Sequence, residues 1–172
     1  GKYKEAIEAY KSGYTFPLCY GEEKNYFAQE SHLGYGLAMA YKADGNKREY
    51  EKALRSAMTD HAAPSEISYF RALAFYEAGE ISAAHALCEE MIEAGKEKIR
   101  DKDVPAYYGV GSPCPCPFEY DFPKINTVKG LVLEAFGELG LGRVIEAKEH
   151  IAEAKKLDVT NFAVAMFEEF CK

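Results

Sequence analysis

Cysteines, histidines and paired acids are the residues of this chain whose types and spacing could do chemistry. Cys114 and Cys116 are separated by one residue within GSPCPCPFEY, close enough for two thiolates to grip one metal ion or to exchange a disulfide. A structural zinc site takes four ligands, commonly with a second Cys or His pair. His32, His61, His85 and His150 lie singly along the chain and supply no such pair. Thiol redox chemistry needs a helix N-terminus or a basic neighbour to favour the thiolate, and no Lys or Arg flanks these cysteines. The pair reads as incidental thiols in a loop, with metal chelation and a disulfide left as alternatives. No metal or other cofactor is expected.

The carboxylates point to no reaction either. Glu89 with Glu90, Glu119 with Asp121, and Glu168 with Glu169 are acids close in sequence. Hydrolysis by paired acids requires the two to face each other across a site, whereas charge runs on helices are ordinarily solvated faces. No nucleophile elbow, phosphate-cradling glycine loop or HExxH occurs in the 172 residues. No catalytic residue is assigned, and the expectation is a chain that is not an enzyme.

Composition narrows the remaining classes. The formal charge of −7 argues against nucleic acid, which calls for clustered Lys and Arg. No apolar run long enough to span a membrane is present, so no membrane partner is expected, and the first residues do not resemble a signal peptide. Five cysteines, an odd number, fit reduced thiols and a cytoplasmic setting. With 48% apolar residues and 13 Tyr and 10 Phe but no Trp, the chain has ample material for a core.

The elements that would position these side chains are helices. Ala38, Tyr41 and Gly45 are answered 34 residues on by Ala72, Phe75 and Gly79, each set followed by a second helical pattern. A fixed period of this length with two helices per period marks stacked helix pairs. The expected layout is a lone second helix over 1–13, pairs over 26–60 and 65–100, a Pro/aromatic insertion over 101–126, a pair over 127–158, and a capping helix over 160–171. Asn25, Asn46, Ser65 and Thr127 are the expected N-caps, with Glu49 completing a capping box behind Asn46. Gly142 follows Gly79 by 63 residues, one period plus 29 (142 − 79 = 34 + 29), and the excess falls on VPAYYGVGSPCPCPFEYDFP. Alternate prolines forbid a helix there, while the aromatics argue for an ordered loop. In the last helix Phe162, Met166 and Phe170 form the expected core stripe, supported by Ala163 and Phe167.

This pattern resembles tetratricopeptide repeats over about three-quarters of the chain (a half repeat, two adjacent repeats and a separated third). Gly34, Ser68 and Leu131 stand where that family often has Trp, and Ala38, Ala72 and Ala135 where it has Gly. The resemblance implies an all-α fold of antiparallel helix pairs stacked as a right-handed superhelix, with the insertion and the capping helix added. In such repeats the first helix of each pair lines a concave groove. That places His32, Tyr35, Met39 and Lys42 in the groove, then Glu66, Tyr69, Leu73 and Tyr76, then Lys129, Val132 and Phe136. Repeats that clamp acidic chaperone tails use Lys, Asn and Arg at such positions. Tyr35, Met39 and Phe70 occupy most of them here, so that role is not expected.

AQESHLGYGLAMAYKADG, SYFRALAFYEAGEISAA and the aromatic-proline insertion also resemble the carboxy-terminal part of certain bacterial proteins. In that group a sugar-mutarotase-like β-sandwich domain precedes tetratricopeptide repeats. Two roles follow from the resemblances. One is an interaction module whose aromatic groove, led by Tyr35, Met39, Tyr69, Leu73, Tyr76 and Phe136, takes a protein or peptide partner or an upstream domain of the same protein. The other is the non-catalytic part of a carbohydrate-active enzyme, shaping its sugar site with Tyr107, Tyr108 and Phe118.

Overall fold

Three helix pairs are joined by the same turn. They are α2 (Ser31–Asp44) with α3 (Lys47–Met58), α4 (Ser68–Ala78) with α5 (Ile81–Arg100), and α6 (Phe122–Gly140) with α7 (Val144–Leu157). Gly45, Gly79 and Gly142 sit in the turns with φ of 78°, 81° and 77°, a left-handed conformation that a Cβ would penalise. After each glycine an N–H reaches back five residues: Asn46 to the Tyr41 carbonyl at 3.0 Å, Glu80 to Phe75 at 2.9 Å and Arg143 to Glu138 at 2.9 Å. Each bond satisfies an orphan helix-end carbonyl and reverses the chain within a few residues.

The computed structural model describes residues 1–15, 29–59, 62–102, 108–109, 112–113 and 121–171. The fold is all-α, as expected. Besides the three pairs, the described residues hold α1 (Tyr3–Gly13), α8 (Phe162–Phe170) and a short antiparallel pairing of β1 (Tyr108–Gly109) with β2 (Ser112–Pro113). The chain divides into two compact units, Gly1–Cys88 and Glu89–Lys172, with α5 running through the division.

In the first unit α2 packs against α1, α3 and α4, and α3 also meets α4. Small residues let these helices approach. Ala38, Ala53, Ala57 and Ala74 are buried together with Ile7, Leu54 and Tyr41. A Cβ on Gly34 would lie 3.0 Å from the Ala57 Cα, so α2 and α3 cross almost backbone to backbone. Asn46 caps α3 by accepting a hydrogen bond from the Glu49 N–H at 3.3 Å, as its sequence position implies.

In the second unit α6 is buried all round from Leu131 to Glu138 and packs against α7 and α8. Phe136 meets Phe167 of α8 edge to face, with ring centroids 5.4 Å apart, a favoured aromatic geometry. Asn161 caps α8, accepting from the N–H groups of Ala163 and Val164 at 3.0 and 3.3 Å.

Four boundary or face expectations are corrected. Helix α6 begins at Phe122, not after Thr127, because Asp121 accepts the Lys124 N–H at 2.9 Å and Pro123 sits in the first turn, where no intrahelical N–H is required. Thr127 is inside the helix, its hydroxyl donating to the Pro123 carbonyl, so residues 122–126 of the expected insertion are helical. Helix α2 begins at Ser31, with 29–30 outside it; Asn25 lies outside the described residues. Ser65 starts a turn rather than a helix: its Oγ accepts from the Ile67 N–H, its own N–H donates to Ser68 Oγ, and α4 opens at Ser68. In α8 the buried face is Ala163, Val164 and Phe167, leaving Phe162 78% exposed.

Candidate functional site

Residues 32, 35, 39 and 42 recur at intervals of three and four along α2, which places them on one face. That face meets α4. His32 and Tyr35 both pack against Phe70, with ring centroids 6.1 and 6.4 Å away, and Tyr69 meets Phe70 at 6.2 Å. Near the other end of both helices, Lys42 forms an ion pair with Glu77. Upstream of the two helices, Gln29 Nε2 donates to the Ala63 carbonyl at 2.7 Å. Each contact between the two segments joins residues 34 to 38 positions apart (63 − 29 = 34; 70 − 32 = 38), so α2 and α4 lie side by side and run the same way.

The cluster around Glu77 is charged at its tip and aromatic at its base. Tyr50 of α3 donates its hydroxyl to Glu77 Oε1 at 2.8 Å, and Lys42 Nζ stands 5.8 Å from the centre of the Tyr50 ring. The Lys42 hydrogen bond holds the Glu77 carboxyl below its ordinary value, assisted by Tyr50 and opposed by burial. The same pairing raises Lys42. Burial is the first cause of the upward shift of the Tyr35 and Tyr76 hydroxyls, the carboxylate of Glu77 adding to it at Tyr35 and Cys88 at Tyr76. Tyr76 also rests edge-on against His85 of α5, 5.8 Å between centroids.

The six expected groove residues separate into two kinds. Tyr35, Met39, Leu73 and Tyr76 are partly exposed on α2 and α4. Tyr69 is buried at 7% exposure, and Phe136 is fully buried between α6 and α8. Those two are corrected from groove lining to packing: Tyr69 is turned into the interior of its unit, and Phe136 lies against Phe167 inside the other. Val132 is buried as well, while Lys129 is exposed. Tyr107 and Phe118, like Cys114 and Cys116, lie outside the described residues, and Tyr108 is described only through the backbone of β1.

A second constellation, absent from the sequence reading, occupies the other unit. Glu134 and Glu138 lie one turn apart on α6, each only 7% exposed. Glu138 Oε2 is 2.8 Å from His150 Nδ1 on α7, whereas Glu134 has no hydrogen-bond partner among the described residues. Burial is the first cause that raises the Glu134 carboxyl above its ordinary value; Glu138 adds to the rise and His150 opposes it. The register could have revealed these acids. Eight residues before the turn glycines stand Leu37, Arg71 and Glu134, and four before them Tyr41, Phe75 and Glu138. Acids thus fill positions that are apolar in the first pair.

Among the described residues, no group of three or more His, Cys, Asp or Glu side chains could hold a metal ion. No helix among them is long and apolar enough to cross a membrane. Compared with known protein families, with curated proteins and with solved structures, the chain finds no match.

Proposed function

We propose that the Gly1–Cys88 unit is a protein-interaction module of the tetratricopeptide kind, and that its α2/α4 face takes a peptide segment carrying apolar anchor side chains. The observation that carries this reading is the pairing of two parallel first helices that leave Tyr35 and Met39 of α2 and Leu73 and Tyr76 of α4 partly exposed. Aromatic and aliphatic side chains of this sort bring large contact area at low entropic cost, and apolar clusters at a surface mark binding faces. The face is held together by its own side-chain contacts. Phe70 ties Tyr35 and His32 to α4, and the Lys42–Glu77–Tyr50 cluster ties the far ends together. A binding surface that is ordered beforehand loses less entropy when it is occupied.

Selection of random peptides on the intact chain tests this, with counter-selection on a Tyr35→Ser, Leu73→Ser variant whose fold is checked by circular dichroism. The reading expects peptides that share apolar anchors and lose at least tenfold in affinity on the variant. Recovery only of peptides that bind both forms equally would overturn it.

A further inference from the structure

Helix α3 turns one face to α2 and α4, burying Ala53, Leu54 and Ala57. Its opposite face carries Arg48, Lys52 and Arg55, all exposed, at steps of four and three residues that set them in one stripe. The stripe is basic on a chain whose formal charge is −7. The acids of α3 do not neutralise it. Glu51 pairs with Lys47 at 4.0 Å, and Glu49 is partly buried at the flank of the helix.

Helix α7, the second helix of its own pair, turns Ala147, Ile151 and Ala154 inward. Its outer face carries Glu146, Glu149 and Glu153, exposed and set at steps of three and four. Lys148 and Lys155 lie toward α8, lining a hollow with Phe167, and Lys155 pairs there with Glu168 at 2.6 Å. None of the six stripe residues forms an ion pair among the described residues.

The two stripes fit each other in one direction. Read backwards, α7 runs Glu153, Glu149, Glu146 with steps of four and three, the steps of Arg48, Lys52 and Arg55. Laid antiparallel, the helices set Arg48 opposite Glu153, Lys52 opposite Glu149 and Arg55 opposite Glu146. Lys156 then falls opposite Gly45, beside the exposed Asp44. Ile145, 74% exposed on the outer face of α7, falls opposite Ser56 and is taken out of water. A single surface ion pair contributes little, whereas a network in register contributes more. Both faces are open on the single chain, so each fits another copy. We propose that the chain associates with further copies of itself head to tail, the α3 face of one copy laid antiparallel along the α7 face of the next.

Sedimentation equilibrium of the intact chain reads the association. At low ionic strength the average mass should rise with concentration past that of two chains, because a contact between two different faces leaves one of each free. In about 1 M sodium chloride, where the Debye length is about 3 Å, the association constant should fall by about tenfold or more. Carbodiimide coupling in a mixture of nitrogen-15-labelled and unlabelled chains locates the contact. Mixed-isotope peptides should join Lys52 of α3 to the Glu146, Glu149 and Glu153 stripe of α7. One variant carries Arg48→Glu, Lys52→Glu and Arg55→Glu, and a second carries Glu146→Lys, Glu149→Lys and Glu153→Lys. Each alone should stay single, and mixing the two should restore association. A wild-type chain that stays single at low ionic strength would overturn the proposal. So would association that both variants retain, mixing that restores nothing, or mixed-isotope couplings that leave out α3 and α7. The wild-type salt series and couplings decide the matter even if a variant does not fold.

Discussion

A Cβ on Gly130 would stand 2.5 Å from the carbonyl oxygen of Gly95, and one on Gly95 would stand 2.6 Å from the carbonyl oxygen of Gly130. Both clashes are with backbone, which cannot turn away as a side chain can. Helices α5 and α6 therefore cross backbone against backbone at these two glycines, and Glu134 is placed at that crossing. The turn glycines do a different job. Around Gly45, Gly79 and Gly142 a Cβ would meet nothing within 4 Å, and only their positive φ calls for glycine.

This difference predicts an order of stabilities. Gly79→Ala meets no clash and costs only the strain of a left-handed residue, about 1–2 kcal/mol. Gly130→Ala forces the α5 and α6 backbones apart, and overpacking of this type costs about 1–3 kcal/mol, occasionally more. It also strips packing along the crossing, so Gly130→Ala is expected to be the more damaging. Urea unfolding followed by circular dichroism measures both. A Gly79→Ala variant that is the less stable of the two would mean that α5 slides to make room.

How much of this was legible follows the physics of each signal. The turns were plain, because only glycine fits the φ that Gly45, Gly79 and Gly142 adopt. Asn46 and Glu49 announced the start of α3, and the bounds of α5 and α7 followed from the same spacing. The start of α6 was hidden because Pro123 reads as a breaker inside a proline-rich stretch, although proline is at home in a first turn. The face of α8 differs from the expected one because Phe162, Met166 and Phe170 are large apolar side chains at helical spacing, whereas the buried Ala163 and Val164 are small. The small residues nevertheless let α8 lie closer to its neighbours. Register alone could not place Phe136 either, since α6 is buried on every side from Leu131 to Glu138 and that stretch has no free face to line a groove. Glu134 and Glu138 escaped notice for a simpler reason: acids at core positions look like surface in an apolar pattern.

The Lys42–Glu77–Tyr50 cluster makes stability depend on acid. The Glu77 carboxyl is held below its ordinary value of about 4.5, first by Lys42 and then by Tyr50. A folded value depressed below the unfolded one gives a contribution that is fully present above the unfolded value and is lost as pH falls through the folded one. The wild-type chain should thus lose urea resistance as pH drops below about 4.5. Glu77→Gln should be less stable at neutral pH and show a shallower acid decline, with Tyr50→Phe between the two. Parallel acid profiles for wild type and Glu77→Gln would show that the cluster does not contribute.

The division of the expected groove residues into packing and surface carries its own test. Phe136 is fully enclosed and stacked edge-on against Phe167, so Phe136→Ala opens a cavity and should cost about 3–5 kcal/mol. Tyr35 and Tyr76 keep part of their rings in solvent, and truncating either removes area that water can refill. Each of those changes should cost clearly less than Phe136→Ala, while weakening any peptide captured by the α2/α4 face. The two readouts separate the roles: Phe136→Ala should lower the urea midpoint without a specific effect on peptide affinity in the surviving folded protein, and Tyr35→Ala or Tyr76→Ala should do the reverse. If Tyr35→Ala or Tyr76→Ala unfolds the chain as readily as Phe136→Ala, those side chains belong to the packing and the proposed binding face loses its anchors.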